Sequence, residues 1–84
     1  MKRISFSDEA KADIRVIPQH IAMNILKSIH RFAETGAGNL KKLQDTDPPE
    51  FRLRIGDYRV RFSEEPSNTL RIHAVRNRKD AYRE

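Results

Sequence analysis

The sequence predicts an α+β fold, a small single domain over residues 1–84 in which an antiparallel β-sheet meander carries two N-terminal helices packed on one face. Three observations predict it. Phe51 to Phe62 alternates apolar residues and arginine in two runs separated by Gly56-Asp57, the pattern of a β-hairpin with a two-residue turn. Ile21, Met23, Ile25, Leu26, Ile29, Phe32 and Ala33 recur at helical spacing and form an apolar stripe. Leu70, Ile72 and Ala74 alternate with Arg71 and His73 as a further strand.

Taken in order, Lys2 to Phe6 alternates weakly and reads as a first strand. Ser7 then caps a short helix whose first turn carries Asp8 and Glu9, favourable at the positive end of the helix dipole. That helix ends near Ile17, because Pro18 disfavours a helical residue before it and is suited to the first position of a second helix. The second helix is the longest element. It runs to Gly36, a left-handed cap, with Lys27, His30, Arg31 and Glu34 outside or flanking its stripe. His20 and His30 sit among polar neighbours and have no specific role. Leu40 to Glu50, with its acidic Asp45-Thr46-Asp47-Pro48-Pro49-Glu50 segment, lacks periodicity and is expected to be loop. Glu64 to Thr69 makes a polar turn, and the tail from Arg76 forms at most one helical turn docked beside the sheet. The order is thus β-α-α-β-β-β with a short C-terminal turn or helix.

Composition narrows the partner. A single core at this length buries about 60–65% of the extended surface. With no cysteine, the chain has neither disulfides nor a thiolate metal site, and a cytoplasmic location is the default expectation. No apolar run exceeds three residues, which argues against a membrane span. Seventeen Lys and Arg against twelve Asp and Glu give a formal charge of +5, which favours an anionic partner such as nucleic acid or an acidic protein.

The hairpin sorts its own faces. If Ile55 pairs with Tyr58, the apolar residues share one side while Arg52, Arg54, Arg59 and Arg61 share the other, Arg54 opposite Arg59 and Arg52 opposite Arg61. Like charges directly across a ladder cost about 0.2–1 kcal/mol per pair. A polyanion reverses that sign, and guanidinium forks at roughly 7 Å spacing along a strand match phosphate oxygens. By parity Arg71 and His73 extend this basic face, and Leu70, Ile72 and Ala74 join the core. The alternative is a solvated surface whose cations discourage edge pairing.

The run Arg52-Leu53-Arg54-Ile55-Gly56-Asp57-Tyr58-Arg59-Val60, followed by Ile72-His73-Ala74-Val75-Arg76-Asn77-Arg78-Lys79-Asp80-Ala81-Tyr82-Arg83, resembles the RelE branch of the RelE/ParE toxin superfamily. The order of elements agrees over the whole chain. The resemblance implies the toxin of a toxin–antitoxin pair, a messenger RNA endoribonuclease that works in the ribosomal A site without a metal or other cofactor. It implies as partners the ribosome, its messenger and an acidic, partly disordered, RelB-like antitoxin. Carried over by position, Arg59 and Arg76 match the family's phosphate-binding arginines and Tyr82 its C-terminal catalytic tyrosine, while Arg52 and Arg54 stand where well-known members have lysines. Arginine is a poor proton acceptor at neutral pH, so Arg52 and Arg54 are expected to clamp phosphate. His73 becomes the candidate acceptor because imidazole titrates near neutrality, with Glu50 a weaker one. Arg61, Arg71, Arg78 and Lys79 are assigned to general phosphate contact, and Tyr82 to base stacking or orientation of the nucleophile. Two alternatives stand beside this: a ParE-like inhibitor of DNA gyrase, and a catalytically inactive RelE-like domain that binds antitoxin or nucleic acid.

Overall fold

The computed structural model describes residues 2–81. Its elements are β1 (Arg3–Phe6), α1 (Asp8–Arg15), α2 (Gln19–Thr35), β2 (Asn39–Lys42), β3 (Glu50–Ile55), β4 (Tyr58–Glu65), β5 (Thr69–Asn77) and α3 (Arg78–Ala81). The strands form one sheet in the order β1-β5-β4-β3-β2. β2 to β5 make the antiparallel meander, and β1 lies parallel to β5, so the sheet is mixed. Alternation within β1 fixes its two faces but not its neighbour, and the helical connection that follows β1 leaves either direction open.

Local signals set the helices. Ser7 takes an extended conformation, its Oγ accepts the Ala10 N–H at 3.0 Å and its hydroxyl donates to the His73 carbonyl at 2.9 Å. Ser7→Ala is therefore expected to lower stability by about 1–2 kcal/mol. Urea denaturation checks this, and an unchanged midpoint would mean that the cap contributes nothing. Pro18 occupies the N-cap of α2 rather than its first helical position, and its carbonyl accepts the N–H groups of Ile21 and Ala22 at 3.0 and 2.9 Å. Gly36 ends α2 at φ 73°, as the sequence suggests, with its N–H on the Phe32 carbonyl at 2.8 Å.

α2 covers the apolar face of the sheet through Ala22, Ile25, Ile29, Phe32 and Ala33. Met23 was expected in that stripe and is exposed. At 100° per residue it lies about 200° from Ile25, so Ala22 takes the inward place. At the centre, the Phe62 ring meets Phe32 edge to face, with centroids 5.4 Å apart, and stacks on Phe51 at 5.5 Å.

Two further features depart from the sequence reading. The stretch Leu40 to Glu50, expected to be loop, opens with β2, whose residues Asn39, Leu40, Lys41 and Lys42 pair with Arg54, Leu53, Arg52 and Phe51. All four are exposed, so no hydrophobic alternation marks them, and β3 alone makes the strand. The second is a β-bulge. The β4–β5 register runs Phe62 to Ile72 and then Arg61 to Ala74, which leaves His73 as the extra residue. Parity reverses there. Val75 opposite Val60 joins the core, and Ala74, expected in the core beside Ile72, turns to the face that carries Arg61.

Candidate nucleic-acid interface

The hairpin closes as its alternation requires. Ile55 faces Tyr58 across Gly56-Asp57, with Gly56 at φ 58° in the first central position, where two-residue hairpin turns need a positive φ. Arg52 then faces Arg61, and Arg54 faces Arg59. Across the bulge Arg76 comes opposite Arg59, and on the other side Lys41 of β2 comes opposite Arg52. Six cations from four adjacent strands thus share the face away from α2.

Carboxylates from β3 itself and from α1 temper that charge. Glu50 at the start of β3 holds Arg61 at 3.0 Å, Glu9 lies 3.2 Å from Arg76 and 4.0 Å from Arg61, and Asp13 takes the Arg76 Nε–H at 3.1 Å. Glu9 and Asp13 are four apart on α1, so one helical face presents both to the edge of β5. Such partly exposed pairs contribute at most about 1 kcal/mol each, comparable in size with the repulsion they offset. A shallow depression of about 350 Å³ lies among them, lined by Glu9, Leu43, Arg52, Arg59, Arg61, Ala74 and Arg76.

The structure brings together Arg52, Arg59, Arg61 and Arg76 around this depression, with Arg54 on the same face opposite Arg59. Arg71 and His73 do not line it. The Arg71 guanidinium reaches back to Ser5 Oγ and the Phe6 carbonyl on β1, and His73 Nε2 lies 2.8 Å from the buried Ser63 hydroxyl. Arg78 and Lys79 line a second concavity of about 970 Å³ at the end of the sheet, together with Val16, Ile17, Tyr58 and Asn77; Asp13 also borders it, and Arg76 lines both hollows. Tyr82 lies outside the described residues. Sequence reasoning missed Lys41, Leu43, Glu9 and Asp13 as members of this surface. The four-residue spacing of the two α1 acids was a signal for a shared face, but nothing local ties that face to Arg76.

Among the described residues no group of three or more His, Asp or Glu is placed to hold a metal ion, and no helix is long and apolar enough to cross a membrane. What the face offers is an array of fixed guanidinium groups with a hollow between them, suited to phosphate oxygens and to charge that develops on phosphate.

Residues 4–82 match the family model described as ParE toxin of type II toxin–antitoxin system, parDE. No curated protein matches in sequence. The fold is similar to that in the RelB–RelE antitoxin–toxin complex of Methanococcus jannaschii, at 22% identity and a TM-score of 0.76 over 93% of this chain and 94% of that one. It is equally similar to the archaeal RelE–RelB complex of Pyrococcus horikoshii OT3, at 19% identity and a TM-score of 0.76 over 92% and 94% of the two chains. The toxin–antitoxin complex RelBE2 of Mycobacterium tuberculosis follows at 18% identity and a TM-score of 0.70 over 90% and 96%.

Proposed function

The chain belongs to the ParE toxin family of type II toxin–antitoxin systems, within the RelE/ParE superfamily, and on the geometry of its arginine face we propose that it is a toxin that cuts messenger RNA in the ribosomal A site as a metal-independent endoribonuclease. The observation that carries the reading is the pair of directly opposed arginines, Arg59 and Arg76, beside a hollow shared with Arg52 and Arg61. Opposed like charges weaken a sheet unless an anion lies between them.

In the proposed reaction the 2′-oxygen of one nucleotide attacks the adjacent phosphorus. The P–O5′ bond breaks, giving a 2′,3′-cyclic phosphate and a 5′-hydroxyl, with one proton leaving the 2′-hydroxyl and one reaching the departing 5′-oxygen. Arg59 and Arg76 stabilise the charge that develops on the phosphoryl oxygens, and Arg52, Arg54 and Arg61 clamp the flanking backbone. Among the described residues Glu9 is the carboxylate that lines the hollow, and it supplies a proton acceptor there. Tyr82 is assigned to stacking or to orienting the nucleophile, and Arg71, Arg78 and Lys79 to outlying phosphates. An acidic RelB-like antitoxin in the same cytoplasm is the proposed neutralising partner, its charge complementary to this basic surface.

The family's ParE description favours a second reading, inhibition of DNA gyrase. One experiment separates them. Purified protein is incubated with translating ribosomes on a defined messenger, the new 5′ ends are mapped by primer extension, and a gyrase supercoiling assay is run alongside. Cleavage within the A-site codon, absent with Arg59→Ala, is the expected result. Intact messenger together with blocked supercoiling would replace the ribonuclease reading with the gyrase one.

A further inference from the structure

β1 pairs with β5 only from Thr69 to Ile72, so the outer edge of β5 has no strand beside it from His73 onward. α1 and its cap take over that edge. The Ser7 N–H donates to the Ile72 carbonyl at 2.9 Å, and the Ser7 hydroxyl to the His73 carbonyl at 2.9 Å. Nearly two turns further along α1, a single oxygen of Asp13, Oδ2, accepts both the Val75 N–H at 2.9 Å and the Arg76 Nε–H at 3.1 Å. The same carboxylate therefore fixes a backbone position and the guanidinium that follows it.

Asp13 and Glu9 both reach Arg76, but in different surroundings. The Asp13 side chain is 16% exposed and the Glu9 side chain 53%. A shielded charge-assisted bond that shares its acceptor with a backbone amide has one geometry, whereas an exposed pair is loose and screened. Without Asp13, Arg76 would keep looser contacts, its exposed pair with Glu9 among them, and its long side chain would gain rotamer freedom.

We propose that Asp13 is the positioning residue for Arg76, holding its guanidinium opposite Arg59 in the geometry that receives the scissile phosphate, an inference that rests on the ribonuclease reading above. Asp13 itself touches no RNA; it acts through Arg76. Displacing a transition-state contact by about 1 Å costs on the order of 10²-fold in rate.

The test is a double-mutant cycle of Asp13→Asn and Arg76→Ala in single-turnover cleavage on programmed ribosomes. Asparagine keeps an oxygen for the Val75 N–H and removes the charge. Asp13→Asn is expected to lower the saturating rate on the order of 10²-fold while the toxin concentration for half-saturation changes by less than about threefold. The double variant is expected to be no slower than Arg76→Ala alone, since the two residues act as one unit. Multiplied losses in the double variant, or full activity in Asp13→Asn, would overturn the assignment. Should Asp13→Asn not fold, Asp13→Glu enters the same cycle. A second readout does not depend on activity: the Arg76 Nε–H resonance is expected to be sharp and slowly exchanging in the wild type and to merge with the exchanging arginine signals in Asp13→Asn. If the wild type leaves the messenger intact, the ribonuclease reading falls by itself, and this resonance decides the Asp13 assignment, its persistence in Asp13→Asn overturning it.

Discussion

Arg59→Ala and Arg76→Ala are each expected to lower messenger cleavage by about 10²–10³-fold, the scale seen when one preorganised donor to a developing oxyanion is removed. The two residues face each other across β4 and β5, so either deletion also removes a like-charge contact worth about 0.2–1 kcal/mol. Arg59→Ala gains that relief and loses the contacts Arg59 itself makes, so it is expected to melt within a few degrees of the wild type while being almost inactive. In Arg76→Ala that relief is offset by the loss of its pairs with Glu9 and Asp13, leaving stability near the wild-type value. Rate and melting temperature measured on the same samples check this. A variant that loses activity only in proportion to a loss of folded protein would show these arginines to be structural. If both bind phosphate, each substitution also reduces the slope of log affinity for RNA against log salt by close to one phosphate contact.

Phe62→Ala is expected to be the most damaging single substitution in the core. The residue is 1% exposed, touches Phe32 of α2 and Phe51 of β3 through its ring, and forms the last regular β4–β5 pair, with Ile72, before the bulge. Truncating a buried phenylalanine costs about 3–5 kcal/mol. A domain of this size has a total stability of about 5–10 kcal/mol, so much of the margin disappears and the melting temperature falls by roughly 15–30 °C. Phe62→Leu, which leaves a smaller cavity, should lose clearly less. Thermal and urea unfolding followed by circular dichroism measure both, and a Phe62→Ala midpoint within a few degrees of the wild type would show that the core closes around the gap.

Much of the fold is legible in the sequence because it is encoded locally. Gly56-Asp57 between alternating runs sets the hairpin register, the three- and four-residue spacing from Ile25 to Ala33 sets the buried side of α2, and Ser7 and Gly36 mark helix ends. The four-arginine face follows from the same alternation. β2 was not legible because its residues are all exposed and, among the described residues, β3 is the strand it pairs with. The acids beside the arginines were not legible either, since Glu9 and Asp13 reach Arg61 and Arg76 from more than fifty positions away in the chain.

The bulge at His73 matters most for the site. Continued alternation from Leu70 and Ile72 would send Ala74 and Arg76 to the core side; the extra residue puts both on the arginine face and seats Val75 in the core instead. By itself, then, the sequence determined α1, α2 and the strands other than β2, which residues of the hairpin share a face, and that one face is basic. Only the tertiary structure decided which strands are neighbours, where the register slips, and which carboxylates hold Arg76 in place. Faces within an element depend on a repeat of two or 3.6 residues that the chain carries locally, whereas neighbours, bulges and long-range ion pairs depend on how separate elements pack together.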